Sequence, residues 1–327
     1  MNRRAFLAGT VAVATGTLLT HPSKVWSQNR LLPSRSPANS RRSTSQHSVR
    51  IGAPVFFSDA DPELWATEAK KKYRAVYAPN VSLDDKDRIK AVLVAVEKHD
   101  LVIAEVGAWS NMLDSDPKKR EETLNHVIRC TVLADELNAK CCVNIAGSFS
   151  TQHWDGPDRR DLSREYFDAT VENVRKILDA AKPKRTKFSL EMMPWALPDS
   201  VDSYLKLIRA INRPGLGVHV DICNLINSPE KMWNTTDIIN DVFNRLSPWI
   251  ASCHAKDIKW VKASAVQFTE CALGEGNIDY ATYLKRIATH LDKDLPLMVE
   301  HMPDEATYDR CREYLLKIAG ENGILTQ

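Results

Sequence analysis

Four side chains suited to divalent metals lie at the ends of short apolar segments. They are Glu191 in Ser-Leu-Glu-Met-Met-Pro-Trp, Asp221 in Val-His-Val-Asp, His254 in Cys-His-Ala-Lys-Asp and Glu300 in Val-Glu-His. Three carboxylates and one imidazole suit a single divalent cation, with Mn²⁺ favoured over Co²⁺, Mg²⁺ or Zn²⁺, and leave positions open for substrate oxygens. The alternative is that the carboxylates form salt bridges at a rim and that His254 is a buried, hydrogen-bonded histidine.

Short apolar segments alternate with longer charged segments of helical periodicity from residue 51 onward. The predicted strands are 51–56, 75–78, 102–106, 141–145, 187–191, 217–221, 250–255 and 297–300. The predicted helices lie around 61–72, 84–99, 117–138, 161–182, 199–211, 235–246, 279–291 and 305–319. Eight strand–helix units predict an α/β fold, a single (β/α)8 TIM barrel over 51–327, rather than an open doubly wound sheet.

The barrel prediction brings the four metal-binding side chains together. They belong to predicted strands five to eight, which are neighbours in a closed barrel, and the carboxyl ends of barrel strands carry the chemistry in this architecture. Alternate residues of a strand point into the barrel, so Asp221 shares a face with His219, and His254 shares a face with Lys256. The four ligands should therefore converge on one point.

These motifs, with Gly-Glu-Gly-Asn-Ile-Asp-Tyr, resemble the sugar phosphate isomerase/epimerase superfamily of xylose isomerase-like barrels over about residues 51–320. In the epimerases of that family the matching residues hold one divalent metal. The resemblance therefore implies metal ligation by Glu191, Asp221, His254 and Glu300, and it implies that Glu191 and Glu300 also act as the acid–base pair. The sequence departs from those epimerases at Asn224, where they have a histidine, so the resemblance does not specify the substrate.

The expected chemistry is removal of a proton from carbon next to a carbonyl. This leaves negative charge on oxygen, which a chelating metal stabilises as a metal-bound enediolate. We therefore expect a divalent-metal-dependent sugar isomerase or epimerase. One alternative is a 3-oxo-glycoside lyase that uses the same metal and bases, and another is a non-catalytic exported sugar-binding barrel. The nine histidines are too few for the three-metal site of endonuclease IV, another member of the superfamily.

Other polar residues near the strand ends are candidates for substrate contacts. Lys256 could polarise a substrate oxygen, or it could pair with Asp257 or Glu275. His219 lies one layer below Asp221 and is either a support for the site or a core histidine. Glu105, at the end of predicted strand three, could bind a sugar hydroxyl or neutralise a basic neighbour.

Aromatic residues also follow the predicted strands, and indole faces stack well on sugar rings. At least two of four tryptophans should line the pocket, the alternative being that they cap the barrel. The tryptophans are Trp109, Trp154, Trp195 and Trp260. Asn224 is a further substrate-binding candidate, and Glu275 could reach the pocket from a turn that closes as a lid.

The charge distribution argues against nucleic acid as a partner. The chain has 43% apolar and 26% charged residues, as in ordinary globular proteins. The first 50 residues hold eight Lys or Arg and no acidic residue, so residues 51–327 have a net charge of −6. A nucleic-acid surface needs clustered basic residues, and a phosphorylated substrate is disfavoured for the same reason.

The amino-terminal segment predicts export. Arg3-Arg4 precedes an apolar run over 8–19 that is too short to span a bilayer, as in a twin-arginine signal peptide, here 1–27. Residues 28–50 are polar and form a predicted disordered linker. We expect a periplasmic protein, or a membrane-tethered one if the signal is not cleaved. Its expected partners are a small carbohydrate and the twin-arginine machinery, with a homo-oligomer as an alternative to a monomer.

Overall fold

Eight parallel strands close into a barrel. The computed structural model describes residues 48–290, 292 and 294–326, so the predicted signal peptide and residues 28–47 of the predicted linker lie outside the described residues. The barrel strands are β1 (Arg50–Gly52), β2 (Ala75–Tyr77), β3 (Val102–Gly107), β4 (Cys141–Asn144), β5 (Lys187–Glu191), β6 (Leu216–Asp221), β7 (Ile250–Ala255) and β10 (Pro296–Val299). Each pairs with its neighbours in chain order and β10 pairs with β1, which confirms the single (β/α)8 barrel.

Helices follow the strands around the outside of the barrel. They are α1 (Pro62–Lys72), α2 (Lys86–Lys98), α3 (Pro117–Glu136), α4 (Arg164–Ala181), α5 (Val201–Ile211), α6 (Pro229–Trp233), α7 (Thr235–Leu246), α8 (Tyr280–Ala288) and α9 (Glu305–Glu321). Their starts are set by capping side chains: Asp61, Ser163 and Asp304, for example, each accept a backbone N–H of the first turn. Within the described ranges, no helix has the length and apolar character needed to cross a membrane.

Two elements at the carboxyl ends of the strands were not predicted. An antiparallel hairpin, β8 (Asp257–Trp260) and β9 (Phe268–Cys271), follows β7 directly, and the short helix α6 precedes α7. Both lie in segments that join a strand to its helix, where insertions do not disturb the barrel. The hairpin places residues of β9 near the site described below.

The ordered barrel begins earlier than the predicted boundary at residue 51. Val49 is fully buried, its N–H donates to Leu325 O, and it forms a bridge with Thr326. Arg50 belongs to β1 and pairs with Asp294. The predicted linker was therefore too long by at least these two residues, because a buried valine cannot belong to a solvated tether.

The main apolar core lies between the barrel strands and the surrounding helices. Phe188, Leu190 and Val218 are each fully buried in one continuous core cluster. The seven cysteines all lie in the described residues and are free. The core is thus formed by packing alone, without cross-links.

Candidate metal centre and its cavity

Four neighbouring strands bring the predicted ligands together. Glu191 ends β5, Asp221 ends β6, His254 is the fifth residue of β7, and Glu300 follows β10 directly. In the strand register Asp221 lies opposite His254. One ligating atom from each of the four residues lies within 4.8 Å of all the others.

His254 lies at the centre of this cluster. Its Nδ1 atom is 2.9 Å from Glu300 Oε2, 3.1 Å from Glu191 Oε1 and 3.9 Å from Asp221 Oδ2. Burial disfavours the charged imidazole, but the carboxylates of Glu300 and Glu105 outweigh that effect and raise the pKa of His254 well above its usual value. The cluster therefore strongly favours positive charge at its centre.

Glu105 and His219 lie beneath the cluster and do not reach the cavity. Glu105 is 1% exposed, with Oε1 3.1 Å from His254 Nε2 and Oε2 3.0 Å from His219 Nε2. Burial opposes ionisation of Glu105, but the two histidines outweigh it and lower its pKa to about 2. The structure does not bring either residue to the cavity, because the inward side of β3 and of β6 at these positions faces the closed barrel interior, and Glu105 instead pairs with basic neighbours, as its alternative interpretation held. His219 is instead a support for the site, as its alternative interpretation held.

Lys256 points into the carboxylate cluster. Its Nζ atom lies 2.7 Å from Asp221 Oδ2, 3.0 Å from Glu300 Oε2 and 3.6 Å from Glu191 Oε1. Burial disfavours the ammonium, but these three carboxylates reverse the effect and raise the pKa of Lys256 well above its usual value. Lys256 therefore contributes a permanent charge to the site, and it does not form the alternative pairs with Asp257 or Glu275.

The residues of the cluster fit a divalent cation. Asp221 Oδ2 and Glu300 Oε2 are buried without a hydrogen-bond partner among the described residues, although the Lys256 ammonium forms ion pairs with both. One imidazole nitrogen and three carboxylate oxygens are typical ligands of Mn²⁺, Mg²⁺ or Zn²⁺. The three carboxylate charges are balanced by a divalent cation together with Lys256. Glu191, Asp221 and Glu300 with His254 would hold that ion.

An open cavity of about 420 Å³ adjoins the cluster. Glu191, Lys256 and Glu300 contribute to it from the cluster, and Glu300 has the most exposed side chain of the predicted ligands, at 18%. The wall contains the predicted residues Trp109, Trp154, Trp195 and Asn224. The expectation that at least two tryptophans line the pocket thus agrees with the geometry.

Two other predicted contacts lie outside this cavity. Trp260 ends β8 and pairs in register with Phe268, so the hairpin carries it away from the cavity wall. Glu275 is exposed, and its Oε2 lies 3.0 Å from Lys259 Nζ. The structure therefore does not bring either of these predicted substrate-binding residues to the cavity.

The turn that carries Glu275 is fixed by Asp257. Its Oδ1 accepts N–H groups of Ile258 and Ile278, and its Oδ2 accepts those of Gly274 and Gly276. A Cβ atom on Gly276 would lie 2.1 Å from Asp257 Oδ1. A turn held by four hydrogen bonds to one buried side chain is poorly suited to move as a lid.

Sequence reasoning missed a second polar pair at the cavity wall. His301 and Glu270 line the cavity, with His301 Nδ1 2.9 Å from Glu270 Oε2. Strand alternation would place His301 on the face opposite to Glu300, but β10 ends at Val299 and His301 adopts a left-handed conformation with φ of 60°. Glu270 comes from β9 of the unpredicted hairpin. This pair could have been found only if the sequence had first been used to predict the β8–β9 hairpin.

Comparisons with known proteins agree with this architecture. A family model described as xylose isomerase-like TIM barrel matches residues 66–318. Similar solved structures include a xylose isomerase-like TIM barrel protein from Mycobacterium smegmatis in complex with magnesium (16% identity, 84% of this chain and 97% of that chain, TM-score 0.58). Another is 3-keto-D-glucoside 4-epimerase from E. coli (13% identity, 83% of this chain and 100% of that chain, TM-score 0.61). A third is D-psicose 3-epimerase from Clostridium cellulolyticum H10 with D-tagatose (12% identity, 85% of this chain and 100% of that chain, TM-score 0.61). No curated protein sequence matches the chain.

Proposed function

The chain belongs to the xylose isomerase-like TIM barrel family, and on that premise we propose that it is a divalent-metal-dependent carbohydrate isomerase or epimerase. The observation that carries this proposal is the convergence of Glu191, Asp221, His254 and Glu300 within 4.8 Å beside a cavity lined by indoles. Two of the similar structures are named as sugar epimerases, which supports a carbohydrate substrate. Mn²⁺ is the favoured ion.

A bound divalent cation would polarise the carbonyl of the substrate and stabilise the charge that develops on its oxygen when a neighbouring proton leaves. Glu191 and Glu300 come from strands on either side of β6 and β7, and both reach the cavity. One carboxylate takes the proton from carbon and the other returns a proton to the opposite face. Return of a proton to the same carbon from the opposite face produces epimerisation, whereas return of the proton to the adjacent carbon produces isomerisation.

Lys256 supports this chemistry through its charge. Burial disfavours ionisation of Glu300, but His254 and Lys256 outweigh that effect and hold its pKa well below its usual value. Glu300 is therefore ionised, the state that a metal-binding carboxylate requires. The Lys256 ammonium, on the cavity wall, is placed to donate a hydrogen bond to a substrate oxygen.

The second candidate function is elimination from a 3-oxo-glycoside. It uses the same initial proton transfer, after which the aglycone leaves instead of a proton returning. The observation that favours it is the aromatic wall next to the cluster, formed by Trp109, Trp154 and Trp195, which offers space and stacking surface for an aglycone.

We also propose that the protein works outside the cytoplasm. The Arg3-Arg4 pair and the apolar run after it support export through the twin-arginine machinery to the periplasm. The net charge of −6 over 51–327 supports an unphosphorylated carbohydrate as the substrate.

Solvent deuterium incorporation tests the proposed function. Mn²⁺-loaded protein is incubated in D₂O with ketoses, inososes and 3-oxo-glycosides, and products are followed by NMR and mass spectrometry. An epimerase or isomerase incorporates deuterium next to the carbonyl of a rearranged sugar, whereas a lyase releases the aglycone. Protein that holds the metal but exchanges no proton from any of the three substrate classes would contradict the proposal and favour the sugar-binding alternative.

A further inference from the structure

The exposed large aromatic side chains of the described residues all lie in segments that follow a barrel strand. These residues are Phe56, Phe57, Trp109, Trp154, Trp195, Trp233 and Trp260. In a parallel barrel such segments lie at the carboxyl ends of the strands, on the same side as the metal cluster. Exposed aromatic surface costs solubility, so its restriction to this side indicates a binding role.

Three of these indoles line the cavity beside the metal cluster. Trp109, Trp154 and Trp195 are 40%, 47% and 36% exposed, whereas the four predicted metal ligands are mostly buried. A reacting sugar ring must lie against the buried ligands, deeper than the exposed indole faces. A sugar ring has two faces, so one ring stacks on at most two indoles. A third indole is therefore available to a second ring.

The Trp195 indole is held in position before any ligand binds. Its Nε1–H donates to Asp155 O at 2.9 Å, which joins the segment after β5 to the segment after β4. The segment that contains Asp155 is fixed by buried Asp161, which accepts hydrogen bonds from Ser148 Oγ at 2.6 Å and from Phe149 N at 2.9 Å. A preorganised stacking surface loses little entropy on binding.

The charges of the cavity favour a neutral ligand. Of the described residues that line it, Lys256 alone carries a permanent positive charge, and its ammonium already lies within 4 Å of three carboxylates. The wall also contains Asp155 and Glu270, whose negative charges oppose phosphate or carboxylate groups. Stacking and hydrogen bonding, rather than ion pairing, are the interactions this wall provides.

We propose that the substrate is an uncharged glycoside, whose reacting sugar lies at the metal cluster and whose second ring stacks on Trp154 and Trp195. The second ring is one with a flat apolar face, either another sugar or an aryl group. This inference rests on the proposed function for the identity of the reacting sugar. It adds a subsite that selects glycosides over free monosaccharides.

Calorimetric titration of Mn²⁺-loaded protein with unreactive probes tests the subsite. The one-ring probe is methyl β-D-glucopyranoside, the two-sugar probes are cellobiose, maltose and lactose, and the aryl probe is phenyl β-D-glucopyranoside. At least one two-ring probe should bind about tenfold more tightly than the methyl glycoside, the gain expected from one good stacking contact. A gain limited to the phenyl glycoside identifies the aryl form of the proposal.

Three variants show whether the gain comes from the indoles. Trp154→Ala and Trp195→Ala should each remove most of the advantage of the two-ring probe, and Trp195→Phe should keep part of it. Trp233→Ala is the matched control, since Trp233 is exposed on α6 but does not line the cavity. Thermal unfolding of each variant verifies that it is folded.

Two results would overturn the subsite. One is equal affinity for the methyl glycoside and every two-ring probe, and the other is an advantage that persists in both alanine variants. If light scattering shows that these variants dissociate a dimer without changing ligand affinity, the indoles contact a second copy instead. Indole-dependent binding without deuterium exchange of ketoses, inososes or 3-oxo-glycosides would leave the subsite standing and reject the proposed function, and the reverse pattern would reject only the subsite.

Discussion

The Glu105 carboxylate, buried inside the barrel, lies 3.1 Å from His254 Nε2 and so directs the opposite ring nitrogen, Nδ1, at Glu191, Asp221 and Glu300. A carboxylate behind a metal-binding imidazole fixes its orientation and makes it a stronger ligand. Glu105 is thus a positioning residue, which the sequence alone did not distinguish from a residue that contacts substrate.

Glu105→Gln should weaken Mn²⁺ binding by roughly 10- to 100-fold while the protein stays folded, because the neutral amide keeps the volume but not the charge. Metal titration monitored by calorimetry measures the change. Ser252→Ala is a suitable control, since Ser252 Oγ donates to Glu105 Oε2 at 3.3 Å but Ser252 is not one of the predicted metal ligands. Unchanged metal affinity in folded Glu105→Gln would show that Glu105 has no positioning role.

Asp221→Ala and His254→Ala should each remove the bound divalent ion, which is expected at about one per chain in the parent protein. Both side chains are buried in the cluster, so no solvent ligand replaces them with similar geometry. Metal content after dialysis is the measurement. Full metal occupancy in both variants would rule out this site.

Glu191→Gln and Glu300→Gln should each lower turnover by roughly 10²–10⁴-fold with part of the metal retained, because the amide keeps a ligating oxygen but cannot act as a base. One variant should still exchange the substrate proton with solvent deuterium without forming product, since only the second proton transfer is blocked. Parental turnover in both metal-loaded variants would refute the assignment and move attention to Lys256.

Replacement of Arg3 and Arg4 by lysine should retain the precursor in the cytoplasm, because the twin-arginine machinery recognises the paired guanidinium groups. Cell fractionation and immunoblotting of the full-length chain measure the distribution. Export that continues unchanged would reject the twin-arginine interpretation, while leaving the proposed chemistry untouched.

Asp135 predicts a specific pH dependence of stability. Its Oδ1 accepts backbone N–H groups of Lys184, Arg185 and Thr186, and these outweigh the effect of burial to lower its pKa. A lowered pKa contributes stability that is present above the unfolded-state value of about 3.9 and is lost as pH falls through the folded-state value.

Asp135→Asn should therefore cost about 1 kcal/mol in the free energy of unfolding at pH 7, and the difference from the parent should shrink below about pH 4. Urea unfolding at several pH values measures it. Asp168→Asn is the control: Asp168 forms an exposed i,i+4 pair with Arg164, which is worth less than about 0.5 kcal/mol. If the difference in unfolding free energy between Asp135→Asn and the parent does not vary with pH, the lowered pKa of Asp135 is contradicted.

Periodicity was sufficient to predict the barrel and the four-residue cluster. Strands β5 and β7 have the predicted bounds, because their buried runs stand between polar segments with clear helical spacing. The cluster was predictable because its four residues lie at or near the ends of strands, and the barrel fold places those ends at one level. Strand β1 is shorter than predicted and ends at Gly52. The apolar residues after it, including exposed Phe56, belong to the segment that follows the carboxyl end of the strand.

The surroundings of the cluster were less predictable, because they depend on contacts between distant segments. Glu105 and Lys256 are both polar residues near strand ends, yet one lies beneath the metal ligands and the other among them. Their depth depends on side-chain length and on strand register, which shifts by one residue between β2 and β3 and between β6 and β7. Hairpin residue Glu270 and left-handed His301 depend on loop conformation, for which hydrophobic periodicity gives no signal.

The contact between Asp257 and Gly276 limits how this chain can change during evolution. Any side chain at 276 would collide with a carboxylate that binds four backbone N–H groups, so neither position tolerates replacement alone. Related sequences should therefore keep both residues or replace both together. Changes in length should be tolerated instead in the hairpin loop over 261–267, which takes no part in that contact.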